Sequence, residues 1–309
     1  MKTSAVTPAD LADSVFAVPP LARHPDLSLN RSANAALVRH IEAGGVSSLL
    51  YGGNANLYNV GVSDYPALLD QLEEIAAPTS WVIPSAGPDY GKLMDQAAIL
   101  RSRRFPTVMV LPLSFPASPG GTARGVAKFA EAFGRPVILY VKAEQQWRIE
   151  DIARAVDAGR VCGIKYAVPR KVPLDDPFLA ALLDRVDRKL VVSGMAERPA
   201  LVHLRDYGLA SYTSGGVCMA PRLSARLLHA ARAGQHDEAE RCREAFLPLE
   251  ELRERIGAFT PLHEAITYSG IAEMGAQLPM LGDLDPADEA PLRAIVRRLM
   301  AAEATLAAG

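Results

Sequence analysis

Two residues of this chain combine a type and a position that suit covalent chemistry on a carbonyl. The stretch Val161-Cys162-Gly163-Ile164-Lys165-Tyr166 places a lysine at the end of an apolar run. An ammonium drawn out of water without a partner is costly enough that the side chain gives up its proton instead. A neutral lysine amine can add to a 2-oxo acid, and the resulting Schiff base is an electron sink for carbon-carbon cleavage or loss of water. A second run ends in Leu139-Tyr140, whose phenol could pass protons to and from the substrate and the carbinolamine. A lysine at the last position of a strand can also snorkel to water, and these six residues alone leave both readings open. A third run ends in Tyr51-Gly52-Gly53-Asn54-Ala55-Asn56. Gly52 and Gly53 permit close backbone approach, and their N–H groups with the amide of Asn54 could hold a substrate carboxylate. A plain strand-to-loop turn is the alternative there.

These residues need a scaffold that brings strand ends together. Short apolar runs alternate with segments of helical periodicity along the first three quarters of the chain. The runs are Val15 to Val18, Ser47 to Tyr51, Trp81 to Pro84, Val108 to Leu111, Val137 to Tyr140, Val161 to Lys165, Leu190 to Ser193 and Leu209 to Thr213. Amphipathic stretches lie between them: Ser32 to Ala43, Tyr65 to Ala76, Tyr90 to Arg103, Ala123 to Phe133, Ile149 to Ala158, Pro177 to Asp187 and Pro199 to Tyr207. Runs that are nearly all apolar are buried on both faces, as parallel strands are when helices cover the sheet. Eight strand-helix units in roughly 230 residues predict an α/β fold, a (β/α)8 TIM barrel, over 1–233. The remainder, 234–309, reads as a C-terminal helical extension, with Ser224 to Ala233, Gln235 to Ile256, Pro261 to Met274 and Pro286 to Leu306 as helices. An active site in such a barrel sits at the C-terminal ends of the strands. Tyr140 and Lys165, on neighbouring strands, are expected within reach of each other.

The balance of the composition narrows the partners. Of 309 residues, 49% are apolar and 22% charged, and the formal net charge of -2 gives no electrostatic reason to expect nucleic acid or an anionic membrane. Small molecules are the expected partners. The three cysteines, Cys162, Cys218 and Cys242, lack the close pairing of a zinc or redox motif, and the six histidines show no metal-ligand spacing. Neither a metal nor a cofactor is expected. The opening segment carries acidic residues where a signal peptide would be apolar, and a cytoplasmic protein is expected. Ser118-Pro119-Gly120-Gly121-Thr122 reads as a helix-entry turn in preference to an anion loop. The Arg101, Arg103 and Arg104 cluster reads as a solvated helix C-terminus, and Glu250 to Arg255 as a solvent-facing helix stripe.

The motifs Gly163-Ile164-Lys165 and Leu139-Tyr140, with a glycine-led loop after the second run, resemble the dihydrodipicolinate synthase and N-acetylneuraminate lyase superfamily. Phe16-Ala17-Val18-Pro19-Pro20-Leu21, Val191-Val192-Ser193-Gly194 and Ser211-Tyr212-Thr213-Ser214-Gly215 extend the resemblance over nearly the whole chain. It implies a barrel of class I aldolases in which Lys165 forms the Schiff base with a 2-oxo acid and Tyr140 shuttles protons, and it implies a homo-oligomer, often a tetramer. Ser193 and Ala210 are expected as further substrate contacts. The chain also departs from the family. Gly52-Gly53-Asn54-Ala55-Asn56 stands where Gly-Thr-Thr-Gly-Glu is usual, so both threonine hydroxyls are missing. Val141-Lys142-Ala143 replaces Asn-x-Pro, the arginine that grips the synthase's second substrate falls near Gln145, and the relay tyrosine falls near Ser114. These departures argue against lysine biosynthesis. The expected function is a lyase, aldolase or dehydratase, acting on a 2-oxo acid such as a 2-keto-3-deoxy sugar acid or a pyruvate adduct. The alternative is a catalytically weakened barrel that binds 2-oxo acids or regulates.

Overall fold

The computed structural model describes residues 1–307. Among the described residues there are strands β1 (Phe16–Ala17), β2 (Ser48–Leu50), β3 (Trp81–Ile83), β4 (Ser85–Ala86), β5 (Met109–Val110), β6 (Val137–Val141), β7 (Val161–Tyr166), β8 (Val191–Ser193) and β9 (Ser211–Ser214). Every pairing is parallel and the order is β3-β2-β1-β9-β8-β7-β6-β5-β4. The third apolar run, Trp81 to Pro84, supplies β3, and β4 begins just past its end. Pro84 separates the two because proline has no N–H to give the ladder. β3 pairs with β2 while β4 pairs with β5, and the Met109 N–H bonds the Pro84 carbonyl at 2.9 Å. The segment 81–86 therefore closes the ring, and the eight sequence runs form an α/β barrel.

Helices cover the ring because the loops after the strands carry their start signals. Asn30, Asp89, Ser118 and Asp176 each accept a first-turn backbone N–H through the side chain. Such caps contribute about 1 kcal/mol each. Ser118 with Pro119 at the first turn begins the helix Pro119–Phe133 four residues before the periodicity does, and Gly134 ends it at a φ of 79°. The helix-entry reading of residues 118–122 is what the structure shows.

Beyond the ring lie helices Pro221–Arg232, His236–Glu244, Leu247–Ile256, Thr260–Ser269 and Pro286–Ala307. The single helix expected over Gln235 to Ile256 is two, because Pro248 lacks an N–H and its ring would strike the carbonyl of Glu244. The helix expected from Pro261 to Met274 stops at Ser269, where Gly270 takes a φ of 75°. Glu303 on the last helix supplies the N-terminal cap that Pro221–Arg232 lacks locally. Its carboxylate accepts the N–H groups of Arg222 at 3.1 Å and Leu223 at 2.9 Å. No helix among the described residues is long and apolar enough to cross a membrane.

Candidate active site

Strand register fixes one wall of the site. Tyr140 on β6 pairs with Lys165 on β7, and residues paired across parallel strands point to the same face. The Lys165 Nζ lies 4.4 Å from the centre of the Tyr140 ring. Lys165 is 7% exposed, so the charge question raised by its sequence position resolves toward burial without a carboxylate partner. Burial pulls its pKa down to about 7, with the positive charges of Lys142 and Arg253 adding to the effect. Burial pushes the Tyr140 phenol up to about 12, so it keeps its proton at neutral pH. An amine that can be neutral thus faces a phenol that can donate.

The turn after β8 makes room for the lysine. A side chain on Gly194 would stand 2.7 Å from the Ala167 Cβ and the Tyr166 carbonyl and 2.9 Å from the Lys165 Cγ, so only glycine lets the Lys165 stem pass. Ala196, in the same turn, takes a left-handed φ of 54°, a conformation that costs on the order of 1–3 kcal/mol outside glycine. Both residues line a cavity of about 270 Å³ with Lys165, Tyr140, Asn54 and Thr213. That volume is just under the range of about 300–1,000 Å³ typical of drug-sized ligands, and it suits a small metabolite.

The loop after β2 forms the facing wall. Gly53 lies against Phe259, whose ring edge would be 3.1 Å from any added Cβ. Among the described residues, the backbone N–H groups of Gly52, Gly53 and Asn54 have no acceptor. Of the three residues, Gly53 and Asn54 line the cavity. The Asn54 side chain is already committed, since its Nδ2 donates to the Val18 carbonyl at 2.8 Å and its Oδ1 accepts from Arg253 at 3.3 Å. Its side chain therefore holds the loop in place. Gly52 does not line the cavity. An added Cβ there would meet the Met109 methyl at 2.8 Å, so it is a packing glycine.

A third wall comes from the helix Leu247–Ile256, and the sequence reading missed it. Glu250 and Arg253 are each 8% exposed and line the cavity; they are not a solvent stripe. Arg253 Nη1 meets Glu250 at 2.7 Å and Nε donates to the Ala258 carbonyl at 2.8 Å. Behind them sits Glu197, fully buried, which accepts from the Ser214 hydroxyl through one oxygen and leaves the other unpaired. Burial, reinforced by the neighbouring Glu250 charge, raises its pKa well above the carboxylate range. The three-residue spacing of Glu250 and Arg253 is that of an ordinary surface pair. Nothing in it signalled that this face turns inward.

Two expected contacts fall outside the cavity. Ser193 pairs with Tyr166 and Tyr212, which point outward from the ring, and its hydroxyl meets His203 Nδ1 at 2.8 Å under the helix layer. Ala210 just precedes β9, where its N–H bonds the Val191 carbonyl at 2.9 Å, and it does not line the cavity. Gly194 and Thr213, their neighbours with inward phase, line the cavity in their place. The helix Tyr90–Arg101 ends at the arginine cluster, where Arg101 and Arg104 are exposed, and Arg103 and Arg104 also pair with Asp70 and Glu73. A larger cavity of about 460 Å³ touches the other side of Tyr140, with Leu113, Pro116, Val126 and Trp147 among its walls; it holds no lysine or carboxylate. Among the described residues no three His, Cys, Asp or Glu side chains gather as a metal site.

Known proteins share this architecture. The sequence profile described as the dihydrodipicolinate synthetase family matches residues 106–298. The dihydrodipicolinate synthase of Bacillus clausii superposes with a TM-score of 0.83 at 18% identity, covering 95% of this chain and 98% of that one. That of Oceanobacillus iheyensis gives 0.82 at 18%, covering 93% and 96%. The sialic acid aldolase of Ruminococcus gnavus gives 0.81 at 14%, covering 95% and 99%. No curated protein matches the sequence.

Proposed function

The chain belongs to the dihydrodipicolinate synthetase family, and from that premise we propose that it is a Schiff-base-forming lyase, an aldolase or dehydratase, acting on a 2-oxo acid of the 2-keto-3-deoxy sugar acid type. The observation that carries this reading is the buried Lys165 amine 4.4 Å from the Tyr140 ring at the mouth of the barrel. Nζ adds to the C2 carbonyl, two proton transfers release its oxygen as water, and a protonated imine remains. In cleavage, the C4 hydroxyl loses its proton and the C3–C4 electron pair passes into the imine to give an enamine. In dehydration, a C3 proton leaves first, and the enamine then expels the C4 hydroxyl as water. Tyr140 carries these protons. Loss of the family's threonine hydroxyls from the loop after β2 sets the substrate apart from that of the synthases.

Borohydride trapping tests the imine. Incubation with pyruvate or a 2-keto-3-deoxy acid, followed by reduction, is expected to add the acid's mass to the peptide bearing Lys165. The initial rate should climb as pH rises through about 7, where the amine becomes neutral, and level off above it. Lys165→Ala should abolish the label. An unlabelled wild-type peptide, or turnover that survives Lys165→Ala, overturns the reading. A second reading, a barrel that binds 2-oxo acids without converting them, draws on the Asn54 side chain being occupied by Val18 and Arg253. Saturable binding with no turnover on any 2-oxo acid would favour it.

A further inference from the structure

Besides its reactive amine, the Lys165 cavity has one cationic side chain with no carboxylate partner among the described residues. Its ionisable lining comprises Lys142, Lys165 and Arg253 against Glu250 and Glu254. Glu250 is spent on Arg253 at 2.7 Å, and Glu254 on Arg198 at 2.8 Å. Lys142 forms no salt bridge among the described residues, and it stands just past the end of β6, two positions beyond Tyr140, as an exposed side chain that lines the cavity. It lines the same cavity as Tyr140 and lies beyond it in the direction of the mouth, where the strands end.

Arg253 stands on another side. It is held by Ala258, Glu250 and Asn54, which occupy three of its five N–H groups and leave two. Gly215 gives it room, since a Cβ there would lie 2.9 Å from Nη1. Its Asn54 contact puts it beside the unengaged N–H groups of Gly53 and Asn54. A guanidinium fixed in this way is preorganised for a carboxylate, because little freedom remains to be lost on binding. In the strand order, β2 and its loop lie across the ring from β6 and β7. A ligand spanning the cavity would therefore meet Arg253 with the loop N–H groups at one end, Lys165 in the middle and Lys142 at the other.

Resting on the Schiff-base reading above, we infer that the substrate is a dianion: a 2-oxo acid with a second carboxylate at its far end. Arg253 and the Gly53 and Asn54 N–H groups receive the C1 carboxylate, the imine forms at C2 on Lys165, and Lys142 receives the distal carboxylate. Arg253 thus answers for the missing threonine hydroxyls from a different part of the chain.

Paired five-carbon acids test this with the full chain: 2-oxoglutarate, which has the second carboxylate, and 2-oxovalerate, which has a methyl there. Calorimetric titration without borohydride reads affinity, and borohydride trapping on Lys165 reads the imine. The dicarboxylate should bind about two- to fivefold more tightly, the range that an exposed lysine–carboxylate pair contributes. Lys142→Met should erase that ratio, and Lys142→Arg should keep it. The ratio at one pH is the readout, because any change in Lys165 basicity caused by losing a neighbouring charge acts on both acids alike. Equal affinities in the wild type, or a preference that survives Lys142→Met, overturn the dianion inference whatever trapping shows. Absence of pyruvate trapping overturns the imine reading and leaves the calorimetric ratio to decide the anion site.

Discussion

The strand wall and the helix wall of the cavity are built by different physics. Tyr140 and Lys165 are placed by a parallel ladder, in which register and side-chain alternation leave little freedom. Arg253 and Glu250 reach the same space from the helix Leu247–Ile256, held by their own ion pair and by bonds to Ala258 and Asn54. Polar groups on a strand wall can serve chemistry because the backbone holds them in place. Those on the helix wall must also hold the wall. Damage to the first should appear as lost rate, and damage to the second as lost stability.

Substitutions can break that contrast or sharpen it. The largest effect is expected for Tyr140→Phe, which should lower turnover by roughly 10²–10⁴, the range for a lost proton-transfer group, with a melting temperature close to wild type. A large drop in melting temperature would place Tyr140 among the supports. Arg253→Ala should destabilise the fold by about 3–5 kcal/mol, seen in chemical denaturation, because Glu250 is left charged and unpaired in a buried site. Arg253→Met combined with Glu250→Leu should recover much of that loss without restoring binding of 2-oxo acids. If Arg253→Ala melts like the wild type and only binding suffers, the helix wall is a ligand wall alone.

The smallest effect concerns Glu197. Its carboxyl holds a proton in the folded state more tightly than in the unfolded chain, where 4.5 is the ordinary value. The folded state therefore binds more protons as pH rises past 4.5, and stability declines until the folded-state carboxyl ionises. Glu197→Gln should flatten that decline, so that its melting temperature falls less than the wild type's between pH 5 and 8. Parallel melting curves for the two proteins would show that Glu197 ionises without cost.

What could be read in the sequence follows the same division. Apolar runs with near-continuous burial announced the barrel, and strand adjacency brought Tyr140 and Lys165 together before any coordinates did. The third run was harder, because its apolar stretch ends at Pro84 and the short strand Ser85–Ala86 follows directly after that proline. Ser193 was misplaced by its phase: one residue along a strand exchanges the inside of the barrel for the outside, and Gly194 lines the cavity where Ser193 does not. Arg253 was invisible for a different reason. An i, i+3 charge pair looks identical on a wet face and a buried one, and only the packing of a helix more than a hundred residues beyond β6 shows which it is.

The carboxylate of Glu303 has a consequence for how the chain acquires its shape. It caps a helix whose first turn lies about 80 residues earlier. During synthesis that helix start must wait, with two backbone donors open to water, until the final helix has been made and docked. Pro221–Arg232 and Pro286–Ala307 are in this sense a clasp fastened last. Contacts of such sequence separation slow folding, because the long loop must be closed before they return any free energy. A chain released short of Glu303 would keep its amine and phenol encoded and lack the fastening.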